Sequence, residues 1–177
     1  MFVTSSRKPS AKTRTFCKKL SQFTTFRYVS RGKTGLRELL DLAEGEAFLV
    51  VGEYHGNPGS LGFHGFEGQL LFSLRFSDAS LRQDSAYLPR KLPIITGSGE
   101  LAEALVSYLP FERVKDSSSL PKGSRVLVVD EEILDFREGE SSVLKLKLKG
   151  FKGYDEAEKG SESGAEPEEG KTGDEFE

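Results

Sequence analysis

The sequence predicts an α/β fold in which mixed sheets carry helices on their faces, and three observations lead there. Short β-rich runs alternate with amphipathic helical stretches over residues 1–54. Strictly alternating apolar residues return near the far end of the chain, in 144–149. The 177 residues, 36% hydrophobic, suffice for one compact core and fall short of two large independent domains.

Taken in order, residues 2–4 are a short apolar run that ends in Ser5 and Ser6, which suits a first strand passing into a capped helix with Pro9 near its start. At helical spacing Phe16, Leu20 and Phe23 share one face. Arg14 and Lys18 project from the opposite side, and Lys12 and Lys19 flank the apolar stripe. Residues 24–29 are β-rich. Thr34 then opens a second helix, in which Leu36, Leu39, Leu40 and Ala43 recur before Gly45 ends it. Residues 47–54 predict a buried strand, and the order β-α-β-α-β implies parallel neighbours joined by right-handed crossovers.

Residues 56–68 hold five glycines and a proline, which predicts an exposed loop. Leu70, Phe72, Leu74 and Phe76 alternate and predict a strand over 69–76. Residues 98–109 predict a third helix, capped by Ser98 and closed by Pro110. Residues 125–129 predict another buried strand. In 144–149 the leucines face one way and Lys145, Lys147 and Lys149 the other, as in a half-exposed strand whose lysines guard a sheet edge.

Charge divides the chain. The net charge is only −3, yet residues 1–40 hold ten Lys or Arg against one acid, a balance of +9. Residues 153–177 hold ten acids and two lysines, a balance of −8, and with so little to bury they predict a disordered acidic tail on a folded domain of residues 1–152. No apolar stretch approaches the roughly 20 residues that span a bilayer, and the N-terminus lacks the apolar core of a signal peptide, so a cytoplasmic, membrane-free protein is expected. Cys17 is the sole cysteine, which excludes an intrachain disulfide and a multi-cysteine zinc cage.

The basic segment is the strongest functional signal, because clustered cations attract a polyanion through Coulomb forces and counterion release. Arg7 and Lys8 precede a helix whose free N–H groups favour a phosphate, and Gly32 lets the backbone between Arg31 and Lys33 approach one. Other constellations point less clearly to chemistry. Gly32-Lys33-Thr34 has the end of a P-loop, but Arg27 stands where its first glycine belongs. His55 and His64 lack further metal ligands, and Asp130, Glu131, Glu132 and Asp135 suit a strand end. No Gly-x-Ser-x-Gly elbow occurs, so nothing supports catalysis, a cofactor or a metal.

Thr4-Ser5-Ser6-Arg7-Lys8-Pro9-Ser10, then Thr13-Arg14-Thr15-Phe16, Arg31-Gly32-Lys33 and the later Gly56-Asn57-Pro58 follow one another in the order of the opening of Brix-domain proteins. The chain thus resembles a Brix-domain ribosome biogenesis protein in the short, archaeal-type form. The resemblance implies two related α/β halves, each similar to the anticodon-binding domain of class IIa aminoacyl-tRNA synthetases. It also implies a non-enzymatic factor in pre-rRNA processing or rRNA folding. On that basis Arg7, Lys8, Lys12, Arg14, Lys18, Lys19, Arg31 and Lys33 are the expected contacts to rRNA or pre-rRNA, and Phe63 or Phe66 offers rings on which bases stack. The alternative is a module that recruits ribosomal proteins or other assembly factors without sequence-specific RNA contact. Steep weakening of RNA binding by salt separates the two.

Overall fold

A computed structural model describes residues 1–82, 91–115, 118 and 120–154. The acidic tail beyond Tyr154 lies outside the described residues. In chain order the elements are β1 (Phe2–Ser5), α1 (Ala11–Thr24), β2 (Arg27–Tyr28), α2 (Leu36–Ala43), β3 (Phe48–Tyr54), β4 (Asn57–His64), β5 (Leu70–Leu81), β6 (Ile94–Gly97), α3 (Glu100–Tyr108), β7 (Arg113–Val114), β8 (Arg125–Val129), β9 (Ile133–Glu138) and β10 (Ser141–Gly153). The strands form one ten-stranded sheet in the order β2-β1-β3-β4-β5-β10-β9-β8-β6-β7.

That order is a duplication. In the first half β1 lies parallel between β2 and β3, and β4 and β5 follow as antiparallel neighbours. In the second half β6 lies parallel between β7 and β8, and β9 and β10 follow in the same way. The two halves meet where β5 pairs antiparallel with β10. The two related halves that the family resemblance implies are thus present, joined in a single mixed sheet.

Both halves contribute to one core. Phe16, Leu20 and Phe23 of α1 are fully buried, as their spacing predicts. Phe16 stacks on Phe76 of β5, while Phe23 meets Phe136 of β9 edge-on, with ring centroids 5.7 and 5.2 Å apart. Tyr108, at the end of α3, stacks in turn on Phe72 of β5. α1 and α3 therefore each pack across the seam onto the other half. Cys17 is buried among them, and desolvation raises its pKa to about 12, so its thiol stays protonated. On the opposite face of the first half, α2 lays Leu39 and Ala43 over Phe2 and Phe48.

The structure departs from several sequence expectations. Residues 57–64, expected as loop, are the strand β4. His55 and Gly56 both take positive φ (50° and 74°), making the two-residue hairpin turn that suits the twist of β3 and β4. Among the later glycines of residues 56–68, only Gly68 adopts a positive φ, so Gly59 and Gly62 sit in extended backbone. β10 is an inner strand between β5 and β9, so its lysines guard no edge. Lys145 and Lys147 instead stand opposite Asp135 and Asp78 on neighbouring strands. The acidic run after β8 leads directly into β9. Ser98 caps nothing, since Gly99 is the N-cap of α3, and α2 starts behind Gly35.

Candidate nucleic-acid interface

Because β1, β2 and β3 are parallel, their carboxyl ends share one edge of the sheet, the usual place for ligands in α/β folds. Two loops meet there. After β1 the chain turns at Lys8, and after β2 it turns at Gly32; both have positive φ, and the Lys8 N–H donates to the Gly32 carbonyl at 2.9 Å. That bond brings Arg7, Lys8, Arg31 and Lys33 together from segments that are separate in sequence.

The four are not equivalent. Arg31 is half-buried; its guanidinium donates to the Thr34 carbonyl at 3.0 Å and to the Ser5 carbonyl at 3.5 Å. Burial, and then the charge of Arg7, lowers its pKa. It therefore braces the two loops and adds to the positive field from behind. Arg7, Lys8 and Lys33 are exposed and have no ion-pair partner among the described residues.

The start of α1 is organised differently from the sequence expectation. Ser10, and not Ser5 or Ser6, is the cap: its hydroxyl accepts from the Thr13 N–H at 3.1 Å. Glu53, at the end of β3, accepts the Ser10 N–H at 2.7 Å together with the Thr13 hydroxyl. Those bonds hold its carboxyl below the usual carboxylate range. The helix terminus thus already holds an anion, the chain's own, and Arg7 and Lys8 lie in the preceding loop.

The remaining cations of α1 separate by face. The Lys12 ammonium donates to the Asn57 side-chain oxygen at 3.0 Å, which places it on the same edge beside the β3–β4 turn. Arg14 donates to the Pro9 carbonyl at 2.7 Å and, with Lys18, lies on the exposed outer face of the helix. Lys19 is half-buried on the flank, about 10 Å along the axis from Lys12.

Of the two stacking candidates, Phe63 is buried at 2% exposure against Phe72 and offers no free ring, whereas Phe66 is 69% exposed. His64 also belongs to the packing. It stacks on Phe48, its Nδ1 lies 2.8 Å from the Gly68 carbonyl, and burial lowers its pKa. Among the described residues no cluster of three or more His, Cys, Asp or Glu is placed to hold a metal ion, and no helix is long and apolar enough to cross a membrane.

Fold and edge together define a class: a duplicated α/β sheet protein with a cationic rim at the strand ends of its first half. The chain matches no family model. It is, however, 54% identical over 157 residues to a "probable Brix domain-containing ribosomal biogenesis protein" of Methanosarcina mazei, covering 87% of this chain and all of the relative. A protein of the same description from Methanosarcina barkeri is 50% identical over the same shares. The crystal structure of Mil, an archaeal Imp4-like protein, superposes with a TM-score of 0.71 at 30% identity, over 87% of this chain and 99% of that one. The crystal structure of a "probable ribosomal biogenesis protein" from Aeropyrum pernix K1 gives 0.65 at 28% identity, over 83% and 93%. The chain belongs to the Brix-domain ribosomal biogenesis proteins.

Proposed function

We propose that the rim formed by Arg7, Lys8, Arg31 and Lys33, continued by Lys12, binds the phosphate backbone of rRNA or pre-rRNA during ribosome assembly, and that the protein acts by binding and not by catalysis. The observation that carries this reading is the Lys8–Gly32 backbone bond, which gathers cations from two loops at one edge of the sheet, three of them with no ion-pair partner among the described residues. A merely solubilising surface has no need to hold like charges together, since each repels its neighbours. Arg14 and Lys18 extend the field over the outer face of α1. The likeness of each half to an anticodon-binding domain, implied by the family resemblance, belongs to the same proposal.

The test is the salt dependence of affinity for an rRNA fragment. Each lost phosphate contact lowers the slope of log K against log salt by about 0.7 to 0.9. The triple change Arg7→Gln, Lys8→Gln and Lys33→Gln should therefore reduce it by about 2 to 3 while the thermal midpoint stays near wild type. An unchanged slope in the folded variant rules this surface out and favours recruitment of proteins over RNA contact.

A further inference from the structure

Positive charge is gathered at the rim without acids to offset it. Elsewhere on the sheet the exposed cations have carboxylates beside them: Lys145 stands opposite Asp135, Lys147 opposite Asp78, and Arg27 lies 3.9 Å from Glu46. Arg7, Lys8 and Lys33 have no such partner among the described residues, and Arg31 adds its charge from behind them. A nearby carboxylate, Glu53, is already committed to the Ser10 N–H and the Thr13 hydroxyl. Its capture shows that this end of the sheet draws in an acid of the chain itself, and the three exposed cations beside it remain available to others.

The chain carries a supply of such acids. Residues 155–177 hold ten acids against two lysines, and six of the ten fall in Glu166, Glu168, Glu169, Asp174, Glu175 and Glu177. The point from which this segment leaves the sheet is fixed. Tyr154 donates its N–H to the Leu71 carbonyl at 2.9 Å, and its hydroxyl lies 3.3 Å from that of Ser73. Leu71 comes three residues before Leu74, which shares one row across the strands with Leu61, Val51 and Ser5. Three strand intervals of about 4.8 Å, and roughly six residues along the chain at about 3.3 Å each, put Lys8 about 25 Å from Tyr154. Residues 155–166 reach up to about 40 Å when extended, so every acid from Glu166 onward has the rim within its range. Tethering raises the local concentration of those carboxylates to the millimolar range, which populates a contact that separate molecules would scarcely form.

We propose that residues 166–177 fold back onto the rim and occupy it with their carboxylates, as an intrachain competitor that a polyanionic ligand must displace. This regulation rests on the reading of the rim as the RNA surface and adds a threshold to it. A ligand that makes one or two phosphate contacts gains too little to expel a tethered rival. A long RNA that makes several contacts at once, and releases the counterions condensed on it, gains enough. The rim is thereby closed to stray short polyanions and open to an extended backbone.

The experiment attaches a nitroxide to the full chain through Gly173→Cys, which keeps all ten acids. Cys17 is buried with its thiol pKa pushed up to about 12, so it does not take the label. At low salt the amide resonances of Arg7, Lys8 and Lys33 should lose intensity relative to the reduced label, while that of Val126 in β8 keeps it. The loss should fade at about 0.5 M salt, where screening is strong. It should also vanish with Arg7→Gln, Lys8→Gln and Lys33→Gln, the undisturbed resonances of the sheet reporting that this variant is folded. Adding an rRNA fragment should restore the rim intensities as it expels the segment. Loss centred on Lys145 and Lys147, or no loss at low salt, overturns the proposal. If RNA binds at the rim of a chain that shows no such loss, the RNA reading stands and the intrachain contact falls. If the rim resonances are lost and no RNA binds, the contact stands and the RNA reading falls.

Discussion

Arg125 is the largest of the fully buried side chains, at 1% exposure, and it joins the halves through hydrogen bonds. Its Nη1 donates to the carbonyls of Gln22 and Phe23 at 3.0 and 3.1 Å and to that of Lys91 at 3.2 Å. The first two belong to the last turn of α1, whose carbonyls have no partner within the helix, so a residue of β8 in the second half caps a helix of the first. Burial lowers the pKa of the guanidinium, and the charge of Glu138 partly restores it. Arg125→Leu should cost on the order of 3 kcal/mol, because buried acceptors lose their donor; a shift of the denaturant midpoint with unchanged m-value measures it. Glu53 supplies a second test. Its folded pKa is depressed, so its contribution is present above the ordinary Glu pKa and is lost as pH falls through the lower folded value. The thermal midpoints of wild type and Glu53→Gln should therefore differ at pH 7 and converge in acid well below pH 4; a gap that stays constant with pH contradicts the role of the charge.

Among the elements, α1 was the most legible and β4 the least. Helical spacing of Phe16, Leu20 and Phe23 marks the buried face of α1 without ambiguity, and Phe16→Ala should cost about 3 to 5 kcal/mol, read from chemical unfolding. A stability equal to wild type would contradict the Phe16–Phe76 stack. The hairpin escaped because its turn is His55-Gly56, where Asn-Gly is the familiar signal, and because glycine-rich strands have little side-chain pattern to alternate. β9 was hidden for a related reason: acids that suggested a strand end sit at the turn before it and on its outward positions, while Leu134 and Phe136 face the core. For the site, the cations were visible as a charge density, but their grouping was not. The Lys8–Gly32 bond and the capture of the helix terminus by Glu53 both depend on contacts between distant segments.

For the whole molecule, charge and topology set two expectations. β10 continues through Gly153, paired with Phe72, and Tyr154 donates its N–H to Leu71, so the acidic tail is removed cleanly by ending the chain after Tyr154. That deletion takes away a charge of −8 and leaves a positive body. Non-specific RNA affinity should rise at low salt and the gain should shrink near 0.15 M, where charges are screened beyond about 8 Å. Equal affinities for the full and shortened chains at low salt would make the tail a passive solubiliser. The seam between β5 and β10 has a consequence in time. Synthesis runs from the N-terminus, so β5 leaves the ribosome long before the strand that completes the sheet beside it exists. Until β10 follows, the first half presents a long open strand of alternating apolar residues, the kind of edge that recruits other chains into aggregates. Contacts this distant in sequence also make folding slow. The interval between making β5 and making β10 is therefore the vulnerable moment in this protein's life, and chains truncated before Ser141 should accumulate as aggregates and not as soluble half-domains.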